Sequence, residues 1–130
     1  MRLATLALLA ALSAATSASG QSPGSGPQID IALSNFRFEP STITLQHAHA
    51  YTLHFVNRAS GGHDFIAKAF FAAAAVAPSD RGKIAKGGVA LKGGDQADVH
   101  IVAPTAGRYE AHCSHFMHST FGMTAMIVVQ

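Results

Sequence analysis

The sequence predicts an all-β protein, a small antiparallel β-sandwich with one short helical insertion. Three observations lead there. Apolar and polar residues alternate with period two in several short runs, the pattern of strands buried on one face. Clusters of Gly, Pro, Asn, Asp and Ser separate seven or so such runs at regular spacing. Only residues 67–77, rich in alanine, depart toward helical spacing.

In chain order, Ile29, Ile31 and Leu33 alternate with Asp30, Ala32 and Ser34, and Phe36 and Phe38 continue the alternation to Pro40-Ser41. Ile43 and Leu45 restart it, and residues 46–50 read as a turn. Tyr51, Leu53 and Phe55 alternate with Thr52, His54 and Val56 in a strand that ends at Asn57. Residues 58–62 then form a loop leading to His63. A short strand is expected over 64–66. Ile66, Phe70 and Ala74 recur four apart, so residues 67–77 read as a helix that Pro78 ends. The polar stretch 79–86 reads as an exposed connection. A strand over 89–91, a turn at Lys92-Gly93-Gly94-Asp95 and a strand carrying Ala97, Val99 and Ile101 follow, closed by residues 104–107. Tyr109, Ala111 and Cys113 share one face of the next strand, opposite Arg108, Glu110 and His112. Met123, Ala125, Ile127 and Val129 face inward from the last.

A chain of 130 residues accommodates one domain. Residues 1–20 read as a bacterial-type secretory signal: Arg2 near the start, an apolar run over 3–12, then small residues over 13–20, with cleavage after Ala18 or Gly20. Residues 21–27 are a flexible lead-in of Gly, Ser and Pro, and the folded domain spans 28–130. Export to the periplasm is therefore expected, with no membrane span after signal removal. Formal charge is +2, of which the leader carries Arg2 alone, too little to argue for nucleic acid or an anionic membrane surface. The chain has one cysteine, so no internal disulfide is possible. An unpaired exported cysteine is buried, metal-bound or reactive.

That cysteine lies in the densest chemistry of the chain, residues 110–123, with three of the eight histidines and two of the four methionines. Thiolate, imidazole and thioether are ligands that copper favours. Cys113 ends one strand and Met123 begins the next, so a hairpin-like connection returns both to one end of the sandwich, with His118 midway. His63, at the end of a Gly-Gly approach, is the best candidate for a fourth ligand. Two histidines, a cysteine and a weak axial methionine are the blue-copper arrangement.

These residues resemble the cupredoxins, the plastocyanin- and azurin-like blue copper proteins, over nearly all of residues 28–130. Phe36-Arg37-Phe38-Glu39-Pro40-Ser41 resembles the family's early strand and turn. Asn57 and Gly62-His63-Asp64-Phe65 resemble the segment of the first ligand, and residues 107–123, with Cys-x4-His-x4-Met, the ligand loop. The resemblance implies a Greek-key sandwich holding one copper ion that cycles between Cu(I) and Cu(II), with His63, Cys113 and His118 as strong ligands and Met123 axial. It implies a carrier of single electrons between redox partners, not an enzyme. The chain departs from the family in three places. Its ligand loop lacks proline, His115 and Met117 are extra potential ligands, and Asp64 stands where asparagine often braces the loop.

Phe65, Phe116 and Phe121 are expected to form a dry shell, and His118, Phe116, Met117 and Phe121 a docking patch for unidentified redox proteins or a copper donor or acceptor. His54, His100 and His112 fall on outward positions and read as surface residues, and His47-Ala48-His49 as a solvated turn. His115 and Met117 stay open between outer shell, docking patch and copper transfer. An alternative function is a periplasmic copper carrier or resistance protein without redox turnover.

Overall fold

The computed structural model describes residues 20–24, 26–115 and 117–130. The expected secretory signal, Gly20 excepted, and Phe116 lie outside the described residues. Among the described residues the chain forms strands β1 (Gln28–Ser34), β2 (Arg37–Glu39), β3 (Thr42–Leu45), β4 (Ala50–Asn57) and β5 (His63–Ile66). Helix α1 (Lys68–Ala73), strand β6 (Ala75–Val76), a 3-10 turn (Pro78–Lys83) and strands β7 (Gly88–Leu91), β8 (Gln96–Val102), β9 (Gly107–His112) and β10 (Thr124–Val129) complete it. The strands lie in two sheets, ordered β2-β1-β4-β8-β6 in sheet A and β3-β10-β9-β5-β7 in sheet B. The sandwich is as expected, with more and shorter strands. Most pairings are antiparallel, but β1–β4 and β3–β10 are parallel.

The alternation does what it promises. Ile31, Leu33, Leu53, Phe55, Val99 and Ile101 of sheet A and Ile43, Leu45, Ala111, Ile127 and Val129 of sheet B are buried. Phe65 of sheet B meets Phe38 edge-on at 5.0 Å and Phe55 at 5.2 Å, so three rings from both sheets fill the space between them.

Three local expectations are corrected. Phe36 does not continue β1. The inward positions of β1 are odd-numbered while Phe36 and Phe38 are even, and a shift of one residue flips every side chain to the other face. The chain therefore turns at Asn35–Phe36, and β2 folds back with Leu33 opposite Phe38. Phe38 is buried and Phe36 exposed. The helix is also shorter than expected, because Ala75 and Val76 pair with Val102 and Ile101 at the edge of sheet A. Ladder hydrogen bonds there outweigh the helical preference of alanine, and α1 serves as the crossover between sheets, anchored by buried Phe70 and Phe71. Finally, the polar connection after Pro78 is not wholly exposed. Asp80 is buried and accepts from His100 N at 2.8 Å, His100 Nδ1 at 2.7 Å and Lys83 Nζ at 2.7 Å, tying the 3-10 turn to β8. Burial alone raises a carboxyl pKa, but these hydrogen bonds from Lys83 and His100 carry that of Asp80 down to about 2.

His54 and His100, read as surface residues, are half-buried and carboxylate-bound: His54 Nδ1 lies 2.5 Å from Asp98 Oδ1. His112 is exposed, as are His47 and His49. No helix among the described residues is long and apolar enough to cross a membrane.

Candidate metal centre

Residues 107–113 extend β9 inward-outward so that Cys113, just past its end, follows Ala111 into the interior, where it is 1% exposed. His63 begins β5, one of the buried inner strands of sheet B, and is equally buried. The approach to it is fixed by Asn57, whose amide donates to Gly61 O at 2.8 Å, Lys92 O at 3.1 Å and Leu91 O at 3.2 Å and accepts from Ala59 N at 3.0 Å. A buried amide satisfied on all sides makes a stiff loop.

The connection after Cys113 is pinned at its base. Cys113 N donates to Met123 O, and Met123 N donates to His118 O, each at 3.1 Å. Phe121 N reaches Met117 O and His118 O at the same distance, and Gly122 takes φ +90°, a turn conformation that favours glycine. Main-chain bonds thus join the three candidate ligands of the loop to one another. Asp64, on the opposite face of β5 from His63, completes the brace: its Oδ1 accepts from Ser114 N at 2.6 Å and its Oδ2 from Ser114 Oγ. The aspartate therefore does the work expected of the asparagine it replaces.

The result is a cluster in which His63, Cys113 and His118 each offer a ligand atom within 4.8 Å of the others. Cys113 Sγ lies 3.4 Å from His118 Nδ1 and 3.8 Å from His63 Nδ1. For a first-row ion with bonds of about 2.0 Å to nitrogen and 2.3 Å to sulfur, two donors stand roughly 3.5–3.7 Å apart at tetrahedral to trigonal angles. The spacing fits one ion. Met123 is fully buried at the foot of the loop. Burial first, and then the neighbouring His118 and His115, lower the pKa of His63, against a smaller opposing pull from Asp64. That direction favours the neutral ring, the form that has a lone pair to give. Burial raises the pKa of the Cys113 thiol, and a bound metal would favour its thiolate form.

The outer members divide differently from expectation. Phe65 is buried, but Phe121 is 60% exposed and belongs to the surface. Phe36, unconnected to the site by sequence spacing, stands 4.8 Å from the His118 ring and 5.3 Å from Phe121. Met117, exposed, adopts φ +66° in the same loop. His115 is exposed and stacks on His118 at 5.4 Å, outside the three-residue cluster. Asn35, also missed, lies 2.8 Å from His63 Nε2 through its Oδ1. Both sit 25 or more positions from their partners in a turn that alternation had read as strand, so only the hairpin reveals them. Two hollows of about 510 and 540 Å³ lie against sheet B around Glu110, His112 and Met126, and none of the three clustered residues lines them.

The family model of the cupredoxin-like domain matches residues 2–129. The chain belongs to the cupredoxin-like family. Among solved structures, this cupredoxin is similar to dithionite-reduced auracyanin from Roseiflexus castenholzii, with 17% identity and a TM-score of 0.60 over 79% of this chain and 96% of that one. It is also similar to auracyanin A, a "blue" copper protein from Chloroflexus aurantiacus, with 19% identity and a TM-score of 0.58 over 81% and 100%. A multicopper oxidase from Campylobacter jejuni aligns with 84% of this chain, at 11% identity and a TM-score of 0.63, but over only 30% of its own length. No curated protein matches the sequence at a significant level. These likenesses describe the fold. One sulfur and two imidazole nitrogens are donors of the kind that suit soft and borderline ions such as copper rather than the oxygen-seeking ones, and Met123 is buried at the foot of the same loop.

Proposed function

We propose that this cupredoxin is an exported mononuclear type 1 copper protein that carries single electrons between redox partners, with His63, Cys113 and His118 as strong ligands and Met123 axial. The observation that carries the reading is the pair of imidazole nitrogens, His63 buried and His118 half-buried, set against one thiol within 4.8 Å. Copper, when bound, supplies the one-electron Cu(I)/Cu(II) couple. The chain supplies the rest. Strands β5 and β9, the Asp64–Ser114 brace and the Asn57 amide hold the donors in one arrangement, which limits rearrangement between oxidation states. Half-buried His118 lies beside the exposed Phe36 and Phe121, so the apolar patch for docking comprises these with Met117. The resemblance to auracyanin A, described as a blue copper protein, supports the same reading. Periplasmic location is proposed on the leader sequence of residues 1–20 alone.

Addition of Cu(II) to the purified mature protein should give an intense visible thiolate-to-copper band, a type 1 EPR signal and a reversible one-electron couple. Cys113→Ser should abolish the band; unchanged colour would sink the site. One observation favours a second reading, a copper carrier without redox turnover: the exposed His115 and Met117 flank His118 on the solvent side. Tight Cu(I) binding with neither band nor reversible couple would establish that reading instead.

A further inference from the structure

Both imidazoles of the centre meet the same two-residue turn. Asn35 and Phe36 join β1 to β2 in sheet A, whereas His63 and His118 belong to sheet B and its ligand loop. The Phe36 ring rests 4.8 Å from that of His118, and Asn35 Oδ1 lies 2.8 Å from His63 Nε2. An amide oxygen only accepts, so at this distance His63 carries its ring proton on Nε2 and leaves Nδ1 unprotonated. Nδ1 is the nitrogen that faces Cys113 Sγ.

We propose that Asn35 is a positioning residue of the metal centre, its side-chain oxygen fixing the tautomer and ring orientation of His63 so that Nδ1 is the donor offered to copper. The proposal rests on the copper reading above. His63 is 1% exposed, so its ring has little water to turn to if the oxygen is withdrawn. The Nε2 proton then lies without its acceptor, or moves to Nδ1, where it occupies the lone pair a metal needs. Asn35 itself is exposed, and its replacement removes no core contact.

The test compares Asn35→Leu, which removes the acceptor while keeping bulk, with Asn35→Ser, which keeps a turn-favouring residue but shortens it. Asn35→Asp retains an oxygen at the same reach. Long-range 1H–15N spectra of the metal-free protein should show His63 wholly as the Nε2–H tautomer in the parent and in the Asp variant. The Leu and Ser variants should show Nδ1–H or a mixture. Copper affinity by chelator competition should fall about 10–100-fold in Leu and Ser and be recovered in Asp. An unchanged tautomer in both Leu and Ser variants, or unchanged affinity in both, overturns the proposal. If the parent protein takes no copper, the copper reading fails, while the tautomer measurement on metal-free protein still decides whether Asn35 orients His63.

Discussion

Asp64 lies between two jobs at the scale of single residues, since it is buried next to a candidate ligand and its carboxylate is engaged by the loop that carries the others. Asn would keep both contacts, accepting from Ser114 N and donating to Ser114 Oγ. Asp64→Asn is therefore expected to hold stability within about 1 kcal/mol, while Asp64→Ala strands the Ser114 amide and should cost about 1–3 kcal/mol. Urea denaturation of the two variants checks this, and a cost of equal size in both would show that the charge, not the hydrogen bonds, matters. The contrast explains what was legible at this scale. Cys113, His118 and Met123 announce themselves because ligand chemistry and spacing lie within eleven consecutive positions. The Asp64–Ser114 contact spans 50 positions and the Asn35–His63 contact 28, and side chains that meet only across a fold leave no period to read. Phe36 was visible as an aromatic but not as a neighbour of His118.

Elements were legible where burial repeats and obscure where a few hydrogen bonds decide. The strands β1, β4, β8 and β10 bury one face more deeply than the other, which is the signal that alternation measures, whereas β9 buries Ala111 alone. In the segment after β5 the alanines suit a helix, yet two of those residues close the edge of sheet A. The 3-10 turn beyond them is held by Asp80, a charge whose partners His100 and Lys83 are unremarkable in sequence. Its contribution has a definite pH dependence. The folded pKa is depressed from 3.8 to about 2, so the stabilisation is complete well above 3.8 and is lost as pH falls toward 2. The shift corresponds to about 2 kcal/mol. Urea unfolding of the parent and of Asp80→Asn should differ by about that much near pH 6, with the gap closing between about pH 4 and pH 2. A gap that persists undiminished at the lowest pH would assign the effect to packing.

For the whole molecule, fold class and the end of the sandwich that carries the chemistry follow from alternation and turns, but strand direction does not. A strand buried on one face reads the same whether its neighbour runs parallel or antiparallel, which is why the β1–β4 and β3–β10 pairings surfaced only in three dimensions. If the proposed centre holds copper in the folded state alone, copper in thousandfold excess over its dissociation constant should stabilise the protein by about 4 kcal/mol. Thermal or urea unfolding before and after copper removal by a chelator measures this, and coincident transitions would mean that no folded-state site exists. The distance between ligands along the chain gives that stabilisation a mechanical sense. Cys113 and His63 stand 50 positions apart, and an ion shared by them closes a loop of that length, a constraint on the unfolded chain of about 4 kcal/mol were it covalent. With copper bound as proposed, a protein whose lone thiol can form no disulfide within its own chain would gain a removable cross-link between β5 and the end of β9, one that fastens when the metal arrives and opens when it is taken away.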